Sequence, residues 1–231
     1  MFFGERDDPI WPMVKLPIRE SFQKLPAKTM AAFKYVHKHF YDSYDYFLKA
    51  DDDTYIIIEN LRYLLMSYND YKDQPIYIGH KMKRHVQQGY LSGGASYVLN
   101  KVALNKLIKD GLANSGNVLE CTKEVGAEDA TLGRCLEKLG IKIANSLDCD
   151  EKDSFHPFNL QTYITGNYPT WYKTFAPKDL NVNNCCSPYT VSFHFVDPSQ
   201  MEIYHYLIYH MEVYGKPSGI PQRPMFKASF T

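Results

Sequence analysis

The chain has 231 residues, 45% of them apolar, and Lys+Arg and Asp+Glu each number 26, so its formal charge is zero. That size and apolar content suit one domain with a real core. The even balance argues against a nucleic-acid protein held by bulk charge. No apolar run reaches the roughly 18 residues of a membrane span, and Met1, Phe2, Phe3 and Gly4 do not open a signal peptide.

In chain order, residues 1–27 are punctuated by Pro9, Pro12, Pro17 and Pro26. They allow at most a short edge strand near 13–16. Residues 28–40 read as a helix, with Met30, Phe33, His37 and Phe40 on one stripe. Residues 44–50 alternate like a strand, and Phe47 on the second face indicates cover on both sides. Residues 59–68 are helical, with Leu61, Leu64 and Leu65 inward. A short strand follows at 75–80, then a basic connector at 81–84. Gly89, Gly93 and Gly94 surround an aromatic turn, and a helix starts near Asn100, a good N-cap. The glycines fit a plain tight turn or a close backbone approach to a sugar or phosphate.

Residues 110–126 read as a loop. The next segment, AEDATLGRCLEKLG, is a helix with acids in its first turn and Gly140 as its stop. A strand at 141–144 and a loop-rich stretch at 145–189 follow. Residues 190–195 form a strand. Asp197-Pro198 caps a helix over 199–211 that presents Tyr204, Leu207, Ile208 and Met211 on one face. Residues 215–231 read as a loose tail.

The first strand ends in Asp51, Asp52 and Asp53. In open α/β sheets, ligands bind outside the carboxyl ends of strands. Three adjacent carboxylates repel one another unless a cation, a helix N-terminus or a basic partner answers them. A solvated turn that caps the next helix is one reading. An EF-hand fails, because Ile56 and Arg62 stand where Gly and Glu are needed. A divalent ion shared with a diphosphate is the third. The five cysteines, Cys121, Cys135, Cys149, Cys185 and Cys186, contain no CxxC pair and leave at least one without an internal partner. They fit either buried thiols or two disulfides and an orphan.

The ordered set KTMAAFKYVH, FLKADDDTY, QGYLSGGASYVLNKVAL, EDATLGRCLEKLG, SFHPF, CC and VSFHFVDPSQM resembles the core 1 β1,3-galactosyltransferases of glycosyltransferase family 31. The resemblance runs from Thr29 to Tyr214. It implies a glycosyltransferase-A type α/β fold with a mostly parallel sheet, occupying residues 28–214. It also implies inverting transfer of galactose from UDP-galactose to GalNAc on Ser or Thr of a glycoprotein, with Mn2+ as cofactor. Carried over, Asp53 and His194 are metal ligands, and Asp51 serves the metal and the nucleotide. Asp129 is the catalytic base, with Glu128 its rival and an acceptor contact. Asp52, Tyr90, Gly93, Gly94 and Ala95 line the donor pocket, and Trp171 stands near the acceptor. Cys121 pairs with Cys135, while Cys185 and Cys186, being adjacent, each need a different partner.

The family is one of Golgi type II membrane proteins, and a homodimer is left open. Its anchor, stem and first strand–helix units precede the matched region, so the expectation is an N-terminally shortened domain with impaired activity. The alternatives are an inert paralogue acting as a binding or chaperone-like partner, and a sister β1,3-glycosyltransferase with another donor or acceptor.

Overall fold

The computed structural model describes residues 1–8, 10–113, 118–176, 185–214 and 224–230. Strands β1 (Phe2–Gly4) and β2 (Met13–Lys15) form a small parallel pair in the proline-rich start. Helix α1 (Leu25–Phe40) begins three residues ahead of the expected start, with Pro26 in its first turn, where a missing N–H costs nothing. Its Met30 and Phe33 are buried.

Strand β3 (Tyr46–Lys49) leads through the aspartate turn into β4 (Tyr55–Ile56) and α2 (Ile58–Met66), whose Leu61, Leu64 and Leu65 are buried as the stripe predicts. Next come β5 (Tyr77–Gly79), the hairpin β6 (Lys81–Met82) and β7 (Tyr90–Leu91), and β8 (Tyr97–Asn100). Strand β8 runs straight into α3 (Lys101–Lys106), where the Asn100 side chain accepts from the Ala103 N–H at 2.9 Å. Helix α4 (Glu128–Lys138) and β9 (Ile143–Ala144) follow, then β10 (Phe155–His156), α5 (Leu160–Thr165), α6 (Tyr172–Phe175), β11 (Ser192–Phe193) and α7 (Pro198–Tyr209).

The central sheet has the order β3-β8-β5-β9. Strand β8 is antiparallel to both neighbours, and β5 is parallel to β9. Strands β3, β5 and β9 therefore share one direction, and β8 opposes them. The sheet is therefore mixed, with two of its three ladders antiparallel, where a mostly parallel one was expected.

Alternation sorts the sheet's side chains onto two faces. Phe47, Tyr77, Tyr97 and Leu99 join Met30, Phe33, Leu132 and Leu136 in one core. Ile78 and Val98 join Leu61, Leu64, Leu65 and Phe155 in the other. The two-sided cover expected from Phe47 is what this arrangement supplies. A second sheet, β10-β11-β4, lies beside it, with β11 parallel to β10 and antiparallel to β4.

Several expectations are corrected. The segment read as a loop over 110–126 begins inside a π-helical turn, Leu107–Ala113, and contains a 3-10 turn, Leu119–Thr122. Buried Leu107 and Leu112 hold it to the core. The stretch over 145–189 contains β10, α5 and α6, and Asn159 caps α5 by accepting from the Thr162 N–H. The tail read as loose packs over its described residues 224–230. Met225 and Phe226 are buried in the second core, and Phe230 bridges to Ala144. Helix α7 has the predicted N-cap at Asp197, which Gln200 completes as a capping box, but none of its residues is buried, and Leu207 and Ile208, with Met211 just beyond its end, are exposed. An apolar stripe shows what a helix could bury, and tertiary packing takes up only Tyr204 of this one, against Tyr55 and Phe193.

Cys121 and Cys135 are bridged, with Cα atoms 4.7 Å apart. Cys185 and Cys186 pair with each other, so the expectation that they need different partners does not hold. Among the described residues, no helix is long and apolar enough to cross a membrane.

Candidate metal and sugar-transfer site

Four chain segments meet at the end of β3. The first is the turn at Asp51–Asp53, closed by the Thr54 N–H donating to the Asp51 carbonyl at 3.2 Å. The second is the glycine segment between β7 and β8. Thr54 Oγ1 donates to the Gly94 carbonyl at 2.8 Å, tying the two together. The third is the start of α4. The fourth is the segment leaving β11, which carries His194. There the Val196 N–H donates to the Asp53 carbonyl at 2.9 Å, and the His194 N–H to the His156 carbonyl at 3.1 Å.

This framework brings Asp53 Oδ1 to 3.2 Å and Asp51 Oδ2 to 3.9 Å from His194 Nε2. One potential ligand atom from each residue lies within 4.8 Å of the other two. His194 Nδ1 is 3.3 Å from the Pro157 carbonyl, which can only accept, so Nδ1 carries a proton. Nε2 therefore faces two carboxylates across a gap that a metal ion could share. Two carboxylates and an imidazole held by an outer hydrogen bond form a donor set that fits a manganese-type ion. Asp52 is exposed and joins none of these contacts.

Gly94 makes the approach possible, because a Cβ built there would overlap the His194 ring. At Gly93 a Cβ would stand 2.7 Å from Glu128 Oε2. Ala95 is buried; its N–H meets Ser92 Oγ at 3.4 Å and its carbonyl accepts from Ser192 Oγ at 2.5 Å.

The two acids opening α4 differ in their surroundings. Glu128 is 8% exposed. Its Oε1 accepts from the Tyr97 hydroxyl at 2.6 Å, and its Oε2 lies 3.7 Å from Lys49 Nζ. Both oxygens thus have partners inside the fold. Asp129 Oδ1 accepts from the Ala130 N–H at 2.7 Å and Oδ2 from the Gly93 N–H at 3.3 Å. Each Asp129 oxygen keeps a lone pair free. Burial raises the Asp129 carboxyl above its usual range, and those N–H groups and Lys49 offset this only in part. Burial likewise raises Glu128, against Lys49 and Tyr97.

Tyr90 is buried against α4, and burial pushes its hydroxyl up to about 12. Trp171 is half-exposed at the start of α6, 5.8 Å ring to ring from Phe158. Phe158 stacks on Phe195 at 6.2 Å, and Phe195 on His194 at 3.9 Å. A run of rings therefore connects Trp171 to the carboxylate–imidazole cluster. The sequence reading did not single out Phe195, Tyr97, Thr54 or Lys49. Lys49 carried one signal, a cation at the end of a strand otherwise marked for two-sided burial.

The Fringe-like family profile matches residues 19–212 of this chain. The chain belongs to the Fringe-like family. This Fringe-like chain is 34% identical over 220 residues to glycoprotein-N-acetylgalactosamine 3-beta-galactosyltransferase 1 of Xenopus laevis, covering 93% of the chain and 59% of the frog protein. It thus spans about three-fifths of that relative's length. It is 27% identical over 149 residues to human chondroitin sulfate synthase 3, covering 59% of the chain and 16% of that protein. It is 24% identical over 148 residues to mouse beta-1,3-glucosyltransferase, covering 63% and 28% respectively. The mixed α/β arrangement agrees with the glycosyltransferase-A type fold expected for the Fringe-like chain.

Proposed function

We propose that this chain is the catalytic domain of an inverting β1,3-galactosyltransferase that moves galactose from UDP-galactose to the 3-hydroxyl of GalNAc α-linked to Ser or Thr. The observation that carries the reading is the meeting of Asp51, Asp53 and His194 beside Asp129, in a chain similar to the frog galactosyltransferase.

Asp53 and His194, with one oxygen of Asp51, would hold Mn2+, and that ion supplies Lewis-acid stabilisation to the diphosphate when bound. Asp129 accepts the proton of the acceptor hydroxyl. The hydroxyl oxygen attacks the anomeric carbon from the face opposite UDP. The new glycosidic C–O bond forms as the bond to the diphosphate oxygen breaks, and UDP leaves with that electron pair. Gly93 and Gly94 let Glu128 and His194 close against the backbone that lines the donor pocket, and exposed Trp171 offers a ring face to the acceptor. The Cys121–Cys135 bridge suits the oxidising Golgi lumen. Membrane anchorage, expected of the full-length family, belongs to the same proposal.

The test is transfer of galactose from UDP-galactose to a GalNAc-threonine peptide with Mn2+. The expected product is a β1,3 disaccharide, lost on chelation. A well-folded chain that hydrolyses or transfers nothing with this donor, or transfers another hexose in preference, overturns the reading.

A further inference from the structure

Lys49 Nζ sits among three of the four segments that build the site. It lies 2.6 Å from Asp51 Oδ1, 3.7 Å from Glu128 Oε2 and 3.4 Å from the Gly93 carbonyl. It also stands 5.9 Å from the centre of the Tyr97 ring, whose hydroxyl holds the other Glu128 oxygen. The two Asp51 oxygens have different neighbours. Oδ1 is taken by Lys49, and Oδ2 is turned toward His194 Nε2 at 3.9 Å. A free carboxylate on an exposed turn rotates about its last bond; one oxygen clamped by an ammonium fixes where the other points.

We propose that Lys49 is a positioning residue that sets the metal arm and the base arm of the site in register. On the metal side it orients Asp51 so that Oδ2 faces the ion position shared with Asp53 and His194. On the base side it answers the buried charge of Glu128 and so holds the first turn of α4. That turn presents Asp129, whose Oδ2 accepts from the N–H of the same Gly93 that Lys49 contacts through its carbonyl. One ammonium thereby links residues far apart in the chain, and removing it releases both arms. Lys49 touches no reacting atom in this scheme.

The base-arm half rests on the galactosyltransferase reading; the metal-arm half needs only the chain and the ion. The test compares wild type, Lys49→Met, Glu128→Gln and the double variant. Affinity for Mn2+ in the presence of UDP is read by electron paramagnetic resonance, folding by thermal melting, and transfer by kcat at saturating Mn2+. Lys49→Met is expected to weaken Mn2+ about 10–100-fold, the usual cost of losing an outer partner of a metal ligand. It strands a buried carboxylate, so it is also expected to melt lower; the double variant removes that charge and keeps the fold. In the double variant, kcat recovers at least partly toward that of Glu128→Gln, while Mn2+ affinity stays weak.

A folded double variant that binds Mn2+ as tightly as wild type overturns the metal-arm half. A Lys49→Met variant with wild-type kcat at saturating Mn2+, or no recovery in the double variant, overturns the base-arm half. If wild type binds Mn2+ with UDP but transfers no galactose, the transferase reading falls, and the metal comparison still decides the role of Lys49.

Discussion

His194 Nε2 lies 3.2 Å from Asp53 Oδ1, although one follows β11 and the other follows β3. Their backbones are tied as well, through the Val196 N–H and the Asp53 carbonyl. The pair is therefore a property of how the two sheets meet. It depends on Gly94, which leaves no side chain between the turn and the imidazole.

Gly94→Ala tests that dependence. The added methyl occupies the space of the His194 ring, so the ring must move and the Asp53–His194 spacing opens. Displacing one ligand is expected to weaken Mn2+ binding by at least about 10-fold, with transfer falling in parallel. Titration of Mn2+ against the variant checks this. Wild-type affinity would show that His194 is not a ligand.

The Cys121–Cys135 bridge joins the 3-10 turn Leu119–Thr122 to α4. A closed loop of this size is worth about 3 kcal/mol in the chain-entropy treatment. Cys121→Ser with Cys135→Ser should lower unfolding stability by that order in urea titrations. Peptide mapping without reductant should recover the two segments as one cross-linked species. Recovery of both as free thiols removes the assignment.

His156 gives the fold an acid dependence. Thr190 Oγ1 donates its hydrogen to the Ser187 carbonyl at 2.7 Å, so its 3.2 Å contact with His156 Nε2 is an imidazole N–H donating. The ring is fully buried and stacks on Phe193, and burial lowers its pKa to about 3. Between the usual value of about 6.5 and that lowered value, the unfolded chain binds a proton that the folded chain refuses. Stability is therefore retained above about 6.5 and falls as pH drops toward 3. Between pH 7 and pH 5 this one group should cost about 2 kcal/mol. His156→Gln should flatten that dependence in urea titrations at the two pH values; an unchanged slope would assign it to other groups.

Much of the site was legible because its residues sit at punctuation points. Asp51–Asp53 end a strand, Asn100 caps a helix, and Asp129 opens another. What was not legible depends on packing between segments. Strand β8 was hidden because Tyr97–Asn100 runs into α3 without a turn, and a short apolar run fits strand or helix equally. Nothing in the pair Glu128-Asp129 says which acid is buried; the Tyr97 hydroxyl and Lys49 decide it from β8 and β3. The outward face of α7 and the docked Met225 and Phe226 likewise follow from what else fills each surface.

That division between Glu128 and Asp129 leads to the last prediction. Asp129→Asn should leave Mn2+ and UDP binding near wild type and lower transfer by about 10²–10⁴, the usual loss on removing a general base. Glu128→Gln keeps an acceptor for the Tyr97 hydroxyl, removes a charge from the interior, and should retain far more activity. The pH profile separates the two further. Burial raises the Asp129 carboxyl, so the rate should fall with acid through an apparent pKa above the ordinary Asp value of about 3.9. The sign follows from the base role, since only the ionised carboxylate accepts a proton. Because Glu128 is raised by the same burial and feels Asp129, the limb in wild type belongs to the pair. In Glu128→Gln a single raised limb should persist, carried by Asp129 alone. Its disappearance in that variant, with Asp129→Asn still active, would transfer the base role to Glu128.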